Sequence, residues 1–527
     1  MNMWQHHWPE VTQIARDEHL TSDLYPHLDR TDMIAEFLHI AEDEAERVAL
    51  VEAGKVWTYG DLVRAVRSLA CRVAQQVQDS DRIVLVLPNS VEFVVAFLAC
   101  IWAGAIVVPL NPRLGMEEFA HIFLDARPRF VITLKDDGTL LNGDYPDSVR
   151  WWHIDAQSLR EAVCEDNVDP RTGGPDHVPV ILYTSGTTGR PKGVMLTHRN
   201  ILTSTTTYQC IFGLTKSDRT LIAVPLFHVT GLIGQLLAIL LVGGTAVLVR
   251  KYHASRYMDL IARERVSFIF AVPTLLTLAF YHDDVWQDPQ HLRIIASGGA
   301  PIAPALIDQI RRKLPGVAFY NTYGMTEVAS PATILPPGQL HHHSGTVGLP
   351  VPGMTMRVVD LSTGADRGPG QMGQLLMRGP MVSPGYWRNP DETSRTFREG
   401  WLHSGDIASI DGEGFVTIHG RIKDMINRGG EKVYALDVEA PLSAHPAVQE
   451  VAVYGIPDAI WGEQVACAVS FKPGMSATND ALTAWLAERV AKFKIPSEFR
   501  VWTELPHNAN GKIDKQALKA QHEGKLR

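Results

Sequence analysis

The feature that most restricts the fold is an alternation of short apolar runs with stretches of helical spacing. Arg82-Ile-Val-Leu-Val-Leu-Pro88 reads as a buried strand, residues 90–103 as a helix and Ile106-Val-Val-Pro109 as the next strand. Continuous apolar runs suit strands covered on both faces, and strand–helix–strand order makes neighbours parallel. The rhythm returns at Phe130-Val-Ile-Thr133, Thr220-Leu-Ile-Ala-Val224, Thr245-Ala-Val-Leu-Val249, Phe268-Ile-Phe270 and Arg293-Ile-Ile-Ala296. A helix is expected over residues 32–46, and another entering at Thr58, whose hydroxyl can cap it. The fold class is therefore α/β, with parallel sheets flanked by helices.

Residues 229–249 are nearly uncharged and about long enough to span a bilayer. Glycines, Thr230, Gln235 and the turn at Gly243-Gly244 favour helix, turn and buried parallel strand instead. From about Thr346 the segments shorten, and alternation replaces the long apolar runs (Met356-Arg-Val-Val359, Gly373-Gln-Leu-Leu-Met-Arg378). Charge density rises at Arg421-Ile-Lys-Asp424. A chain of 527 residues exceeds one domain. The expected division is 1–420, with a β-rich subdomain over about 346–420, then a hinge at 421–424 and a mobile α+β domain over 425–527.

A formal charge of −9 argues against a general nucleic-acid binder. Cys71, Cys100, Cys164, Cys210 and Cys467 show neither metal spacing nor a disulfide framework, which points to a reducing, cytoplasmic compartment. The first residues lack the basic and apolar regions of a signal peptide, and the last three do not form a peroxisomal signal. No transmembrane segment is expected.

Tyr183-Thr-Ser-Gly-Thr-Thr-Gly-Arg-Pro-Lys-Gly193 follows the apolar run Val178-Pro-Val-Ile-Leu182 and precedes a helix entry at Thr197. Glycines let the backbone curl, while hydroxyls, exposed N–H groups and Lys192 can line a phosphate. It is not the Walker pattern, because Gly193 follows Lys192. Ser297-Gly-Gly-Ala-Pro301 follows another strand, and its paired glycines let a flat ring approach the backbone. Gly400-Trp-Leu-His-Ser-Gly-Asp406 puts a carboxylate, able to accept two hydrogen bonds, after a sharp turn.

Together with Asn321-Thr-Tyr-Gly-Met-Thr-Glu327, Arg428-Gly-Gly-Glu-Lys-Val-Tyr434 and Glu504-Leu-Pro-His-Asn-Ala-Asn-Gly-Lys-Ile513, these motifs resemble the adenylate-forming family. That family includes acyl-CoA synthetases, adenylation domains of peptide synthetases and firefly luciferase. The resemblance runs from about Thr58 to Ile513, with the motifs in the family's order, and is closest in character to the acyl-CoA synthetases. It implies ATP, Mg2+ and coenzyme A as cofactors. Its nucleotide contacts would be Thr184, Ser185, Gly186, Thr187, Thr188, Gly189, Lys192, Ser297, Gly298, Gly299, Ala300, Asn321, Thr322, Tyr323, Gly324, Thr326, Asp406, Arg421 and Lys512. Among these Tyr323 would stack on adenine, Thr326 contact the α-phosphate and Asp406 hold the ribose. Glu327, with Thr184, would hold the metal; Lys192, Thr326, Glu327 and Lys512 would be catalytic. Lys423 would be the hinge, and Arg428, Gly429 and Gly430 would meet CoA. Two departures stand out: Ala435 where many relatives have proline, and Asn508 where they often have threonine.

The acyl pocket implied by the same resemblance comprises His228, Val229, Thr230, Ala271, Ser297, Thr322 and Met325. These are mostly small or apolar, and Phe227-His228 offers no carboxylate to hold an amine, which disfavours an α-amino acid. The expected activity is ATP-dependent ligation of a fatty, aryl or cyclic carboxylic acid to CoA through an acyl-adenylate. The alternatives are loading of a carrier-protein pantetheine, a luciferase-like oxygenase and an inactive acyl-adenylate or nucleotide binder. A homodimer stays open.

Overall fold

A computed structural model describes residues 32–135, 150–162, 169–171, 173–184, 191–281, 289–507, 513–522 and 524. The apolar runs become the interior strands of two large sheets. In one, Trp151–Ile154, Phe130–Leu134, Arg82–Val86, Ile106–Leu110 and Val180–Thr184 lie side by side and parallel, and Lys192–Leu196 closes the edge antiparallel. In the other, Val48–Glu52, Thr245–Leu248, Arg219–Ile222, Phe268–Ala271, Ile294–Ser297 and Ala318–Tyr323 form a parallel series in that order. Lys55–Thr58 flanks it antiparallel at one edge, and Thr333–Leu335 with Leu349–Pro350 at the other.

The helices begin where hydroxyl and amide side chains can cap them. Thr58 accepts from Asp61 N and Asp61 returns the bond at the start of Tyr59–Ala74; Thr197 and Asn200 do the same for His198–Phe212. Ser90 caps Val91–Trp102, a helix buried on every side within the core. It carries apolar residues all round, as a helix enclosed by other elements must.

The uncharged window folds as helix, turn and parallel strand, but the helix Thr230–Leu237 is of the wider π type. Gly231 explains the tight entry, since a Cβ there would lie 2.8 Å from the Val224 carbonyl oxygen. No helix among the described residues is long and apolar enough to cross a membrane. Cys71, Cys100, Cys210 and Cys467 form no disulfide.

The change of texture near 346 corresponds to a third sheet of antiparallel pairs, Thr355–Val359, Gly373–Arg378, Phe397–Arg398, Trp401–Ile410 and Val416–Arg421. A single 3-10 turn, Ile422–Asp424, leads from it to a separate sheet built from Ile426–Arg428, Glu431–Val433, Val448–Asp458, Gly462–Phe471 and Glu498–Trp502. That last sheet has its own apolar core around Val438, Leu442, Val453, Val469, Leu482 and Leu486. The architecture is α/β, with a large N-terminal domain and a smaller C-terminal one.

Candidate active site

Of the expected nucleotide residues, Ser297, Asn321 and Thr322 stand at the carboxyl ends of parallel strands, where open α/β sheets bind ligands. In register, Ala271 pairs with Ser297 and Ser297 with Asn321. Just beyond, Thr322 donates to the Ser297 carbonyl at 3.1 Å. Gly298 must be glycine there: a Cβ would lie 2.8 Å from the Thr322 carbonyl oxygen and closer still to its hydroxyl. Ser297 Oγ is buried with no hydrogen-bond partner among the described residues, a polar atom left for something outside the fold. Gly299 (φ +82°) and Ala300 continue into an exposed loop.

The turn after Ala318–Tyr323 is held from two sides. Gly324 passes so close to Ser330 that a Cβ would sit 2.7 Å from its carbonyl carbon. Ala329 and Ser330 take positive φ, 51° and 109°, which ordinary side chains resist. The helix His198–Phe212 fixes that strained pair: Ser204 donates to the Ala329 carbonyl at 2.6 Å, and Tyr208 and Ser330 share a hydrogen bond of 2.8 Å. The result sets Thr326 and Glu327, both half-buried, in the 3-10 turn Thr326–Val328, which Met325 precedes. Glu327 Oε1 accepts from the Tyr386 hydroxyl at 2.9 Å.

Asp406 follows a sharp turn, as its motif suggested, but is not an exposed loop residue. It lies inside the strand Trp401–Ile410 and is almost fully buried; the sharp turn is at Glu399 and Gly400, both with positive φ, at the start of the strand. One oxygen accepts from the Tyr323 hydroxyl and the other lies 2.8 Å from Arg421 Nε, across the antiparallel pair. Burial, and then the Asp406 charge, push the Tyr323 phenol well above its usual range, so it stays a donor. Burial works against the Arg421 charge, but Asp406 together with Tyr323, Glu327 and Asp424 outweighs it and leaves the guanidinium more basic than usual.

The Gly/Ser/Thr stretch follows a strand and Thr197 caps the helix beyond it, as the sequence suggested, but the chain does not pass straight from loop to helix. An antiparallel strand, Lys192–Leu196, intervenes before the helix and pairs Thr184 with Lys192. Ser185, Gly186, Thr187, Thr188 and Gly189 lie outside the described residues, as does Lys512. Lys192 is buried, forms an ion pair with Glu392 and stands 5.5 Å above the Tyr386 ring. Sequence reasoning missed Tyr386 and Glu392. The local signal was faint: Asn389 caps a short helix, Pro390–Thr396, and accepts from the backbone of Glu392 at its third position.

Of the expected pocket residues, His228, Val229 and Thr230 open the π-helix, while Ala271, Ser297, Thr322 and Met325 lie on the strand ends and the turn that follows. Phe227 stands 4.7 Å from His228, ring to ring. The CoA candidates Arg428, Gly429 and Gly430 lie on the C-terminal sheet. Gly429 (φ +60°) and Gly430 (φ +95°) make the two-residue turn joining Ile426–Arg428 to Glu431–Val433, a geometry that demands glycine before any ligand is considered. Arg428 donates to the Phe493 carbonyl at 3.1 Å and stacks 5.6 Å from Trp461. Lys423 is the middle residue of the 3-10 turn between the last two sheets.

A family model described as AMP-binding enzyme matches residues 37–387, and one described as AMP-binding enzyme C-terminal domain matches residues 437–512. The chain belongs to the AMP-binding enzymes. A feruloyl-CoA synthase of Amycolatopsis is 35% identical over 473 residues, 88% of this chain and 94% of that protein. The o-succinylbenzoate CoA synthetase of Bacillus subtilis, solved with its acyl-adenylate intermediate, is 31% identical with a TM-score of 0.82, covering 92% of this chain and 97% of that one. A second structure of that synthetase holds ATP and a magnesium ion; it is 30% identical with a TM-score of 0.81, over 93% and 99% of the two chains.

For a divalent cation, the donor set offers the half-buried Glu327 carboxylate and the nearby Thr326 hydroxyl, and no cluster of three or more His, Cys, Asp or Glu side chains occurs among the described residues. This fits Mg2+, which takes one or two carboxylates and completes its shell with water and phosphate oxygens.

Proposed function

We propose that the chain is an AMP-forming acid–CoA ligase working through two half-reactions at one site. In the first, a carboxylate oxygen of the acid bonds to the α-phosphorus of ATP and the bond to the β-phosphate oxygen breaks, releasing pyrophosphate. In the second, the CoA thiolate bonds to the acyl carbon and AMP leaves. The observation that carries this reading is the convergence of Tyr323 and Arg421 on Asp406 beside the strand-end glycines, with Glu327 and Lys192 joined through Tyr386.

In this reading Asp406 receives the ribose hydroxyls, and Ser297 to Ala300 with Tyr323 enclose the adenine. Asn321, Thr322 and Gly324 shape that wall, and Thr326 meets the α-phosphate. Lys192 offsets charge on the departing phosphates, and Thr184, Ser185, Gly186, Thr187, Thr188 and Gly189 are assigned to the phosphates from the sequence. Mg2+, when bound, would neutralise the phosphate oxygens, with Glu327 as its protein ligand and Thr184 near it. Lys512, assigned from the sequence, bridges the carboxylate and the α-phosphate. The C-terminal domain, 425–527, turns about Lys423 between the half-reactions and brings Arg428, Gly429 and Gly430 to the thioester step. The isolated 3-10 turn and the separate core of the last sheet support such movement.

The acid is a carboxylate with an apolar body, aliphatic, aryl or cyclic, held among His228, Val229, Thr230, Ala271 and Met325. The acceptor is free CoA, and the enzyme acts in the cytoplasm. The test is pyrophosphate release over a panel including ferulate, 2-succinylbenzoate, cyclohexanecarboxylate and saturated fatty acids, with CoA, with a holo-carrier protein, or with neither. Acid-dependent release that CoA accelerates is expected. Release accelerated by the carrier protein alone would reassign the acceptor, and no release with any acid would overturn the reading.

A further inference from the structure

Tyr386 lies 59 residues from Glu327 and on a different element from Lys192, yet it touches both. Its hydroxyl donates to Glu327 Oε1 at 2.9 Å, and the Lys192 ammonium stands 5.5 Å over its ring. We propose that Tyr386 is a positioning residue that couples the phosphate-facing lysine to the carboxylate that would carry the metal. This rests on the roles given above to Lys192 and Glu327.

The surroundings leave the ring little freedom. It is 7% exposed. Its backbone N–H donates to Thr393 Oγ1 at 2.9 Å, and a bridge joins it to Val194 on the lysine's own strand. Residues 383–387 are tied to both partners. Ser383 N donates to the Glu327 carbonyl at 2.8 Å, and Trp387 N to the Gly193 carbonyl at 2.7 Å. Glu392, five residues after Trp387, closes the arrangement by pairing with Lys192.

A ligand carboxylate fixed by a hydrogen bond from behind presents its other oxygen in one orientation. Removing such a bond lowers metal affinity ten- to a hundred-fold, roughly, in other metal sites. A cation over an aromatic face is likewise held by the ring and not by the hydroxyl. The two functions of Tyr386 are therefore separable by substitution.

The test measures binding of α,β-methylene-ATP by calorimetry, with and without Mg2+, in the full chain. Tyr386→Phe keeps the ring and removes the hydroxyl. Its Mg2+-free affinity should stay within about two-fold of wild type, while the enhancement by Mg2+ should fall about ten-fold. Tyr386→Leu, which removes the ring too, should also weaken Mg2+-free binding. Adding Tyr386→Phe to Glu327→Gln should cause no further loss of Mg2+ enhancement, and this comparison stands even if the single variants differ in melting temperature. In turnover, Tyr386→Phe should lower kcat with the KM of the acid unchanged. Should Glu327→Gln abolish the Mg2+ enhancement while Tyr386→Phe retains it in full, the coupling role is overturned. Should Glu327→Gln itself retain it, the metal assignment beneath the proposal fails.

Discussion

Arg421 Nε lies 2.8 Å from Asp406 Oδ1 across an antiparallel strand pair, and the Tyr323 hydroxyl occupies the other oxygen. A buried carboxylate with two donors already in place is set rigidly. Asp406→Ala should weaken ATP binding by roughly ten-fold or more, since a hydrogen bond to a charged group contributes about 1.5–3 kcal/mol. It should weaken binding of a synthetic acyl-adenylate similarly, because both ligands carry the ribose. Nucleotide titration checks this, and wild-type affinity for both would remove Asp406 from the ribose site.

The turn bearing Glu327 depends on Gly324 for space. Gly324→Ala pushes a methyl group into the Ser330 backbone, which Tyr208 and Ser204 hold in place. Destabilisation of about 3 kcal/mol is expected, the upper range for overpacking against atoms that cannot move aside. Urea unfolding measures it, and a variant within 0.5 kcal/mol or so of wild type would mean that the turn yields easily.

Much of this site was legible in the sequence because its residues sit at the ends of strands that announce themselves. Ser297, Gly298, Asn321 and Thr322 each follow an apolar run, and parallel order brings those ends together. Asp406 was found by its motif, as a carboxylate after a sharp turn, but its strand was not, because the ten-residue strand around it mixes polar and apolar residues where a buried strand would be continuous. Tyr386 and Glu392 were not legible at all. Their partners lie 59 and 200 residues away, and no local periodicity encodes a contact made only in the folded chain. Of the expected site residues, 185–189 and 512 lie outside the described residues.

Ala435, where relatives often have proline, is the first residue of the helix Ala435–Ser443. Proline is well suited to that position, and Tyr434 before it is already extended (φ −88°, ψ 128°), as a residue preceding proline must be. Ala435→Pro should therefore leave the melting temperature unchanged or raise it, with a gain of about 0.4–1 kcal/mol from a stiffer unfolded chain. A clear loss of stability would show that the backbone N–H at 435 or the space around it matters.

His198 gives the fold a pH dependence of definite sign. Its Nδ1 accepts from Met33 N at 3.3 Å, and burial, with a smaller effect of His177, holds its pKa down at about 3. The unfolded chain takes up a proton near pH 6.5 that the folded one refuses, so stability present above that pH is lost progressively toward pH 3. Asp32 also packs there, capping the helix Met33–Asp43; burial raises its pKa, which offsets part of the loss at the acid end. His198→Asn should make the decline between pH 6 and pH 4 shallower by up to about 1.4 kcal/mol per pH unit. Urea midpoints across that range report it, and an unchanged slope would contradict the assignment.

The central claim is that the acid's own oxygen becomes bonded to the α-phosphorus. The most direct measurement uses the acid of the panel that elicits pyrophosphate, labelled with 18O in its carboxylate, together with ATP, Mg2+ and CoA. Mass spectrometry of the nucleotide product should find AMP carrying one 18O atom, with pyrophosphate unlabelled. ADP as the nucleotide product, or AMP without the label while the thioester forms, would contradict an acyl-adenylate route.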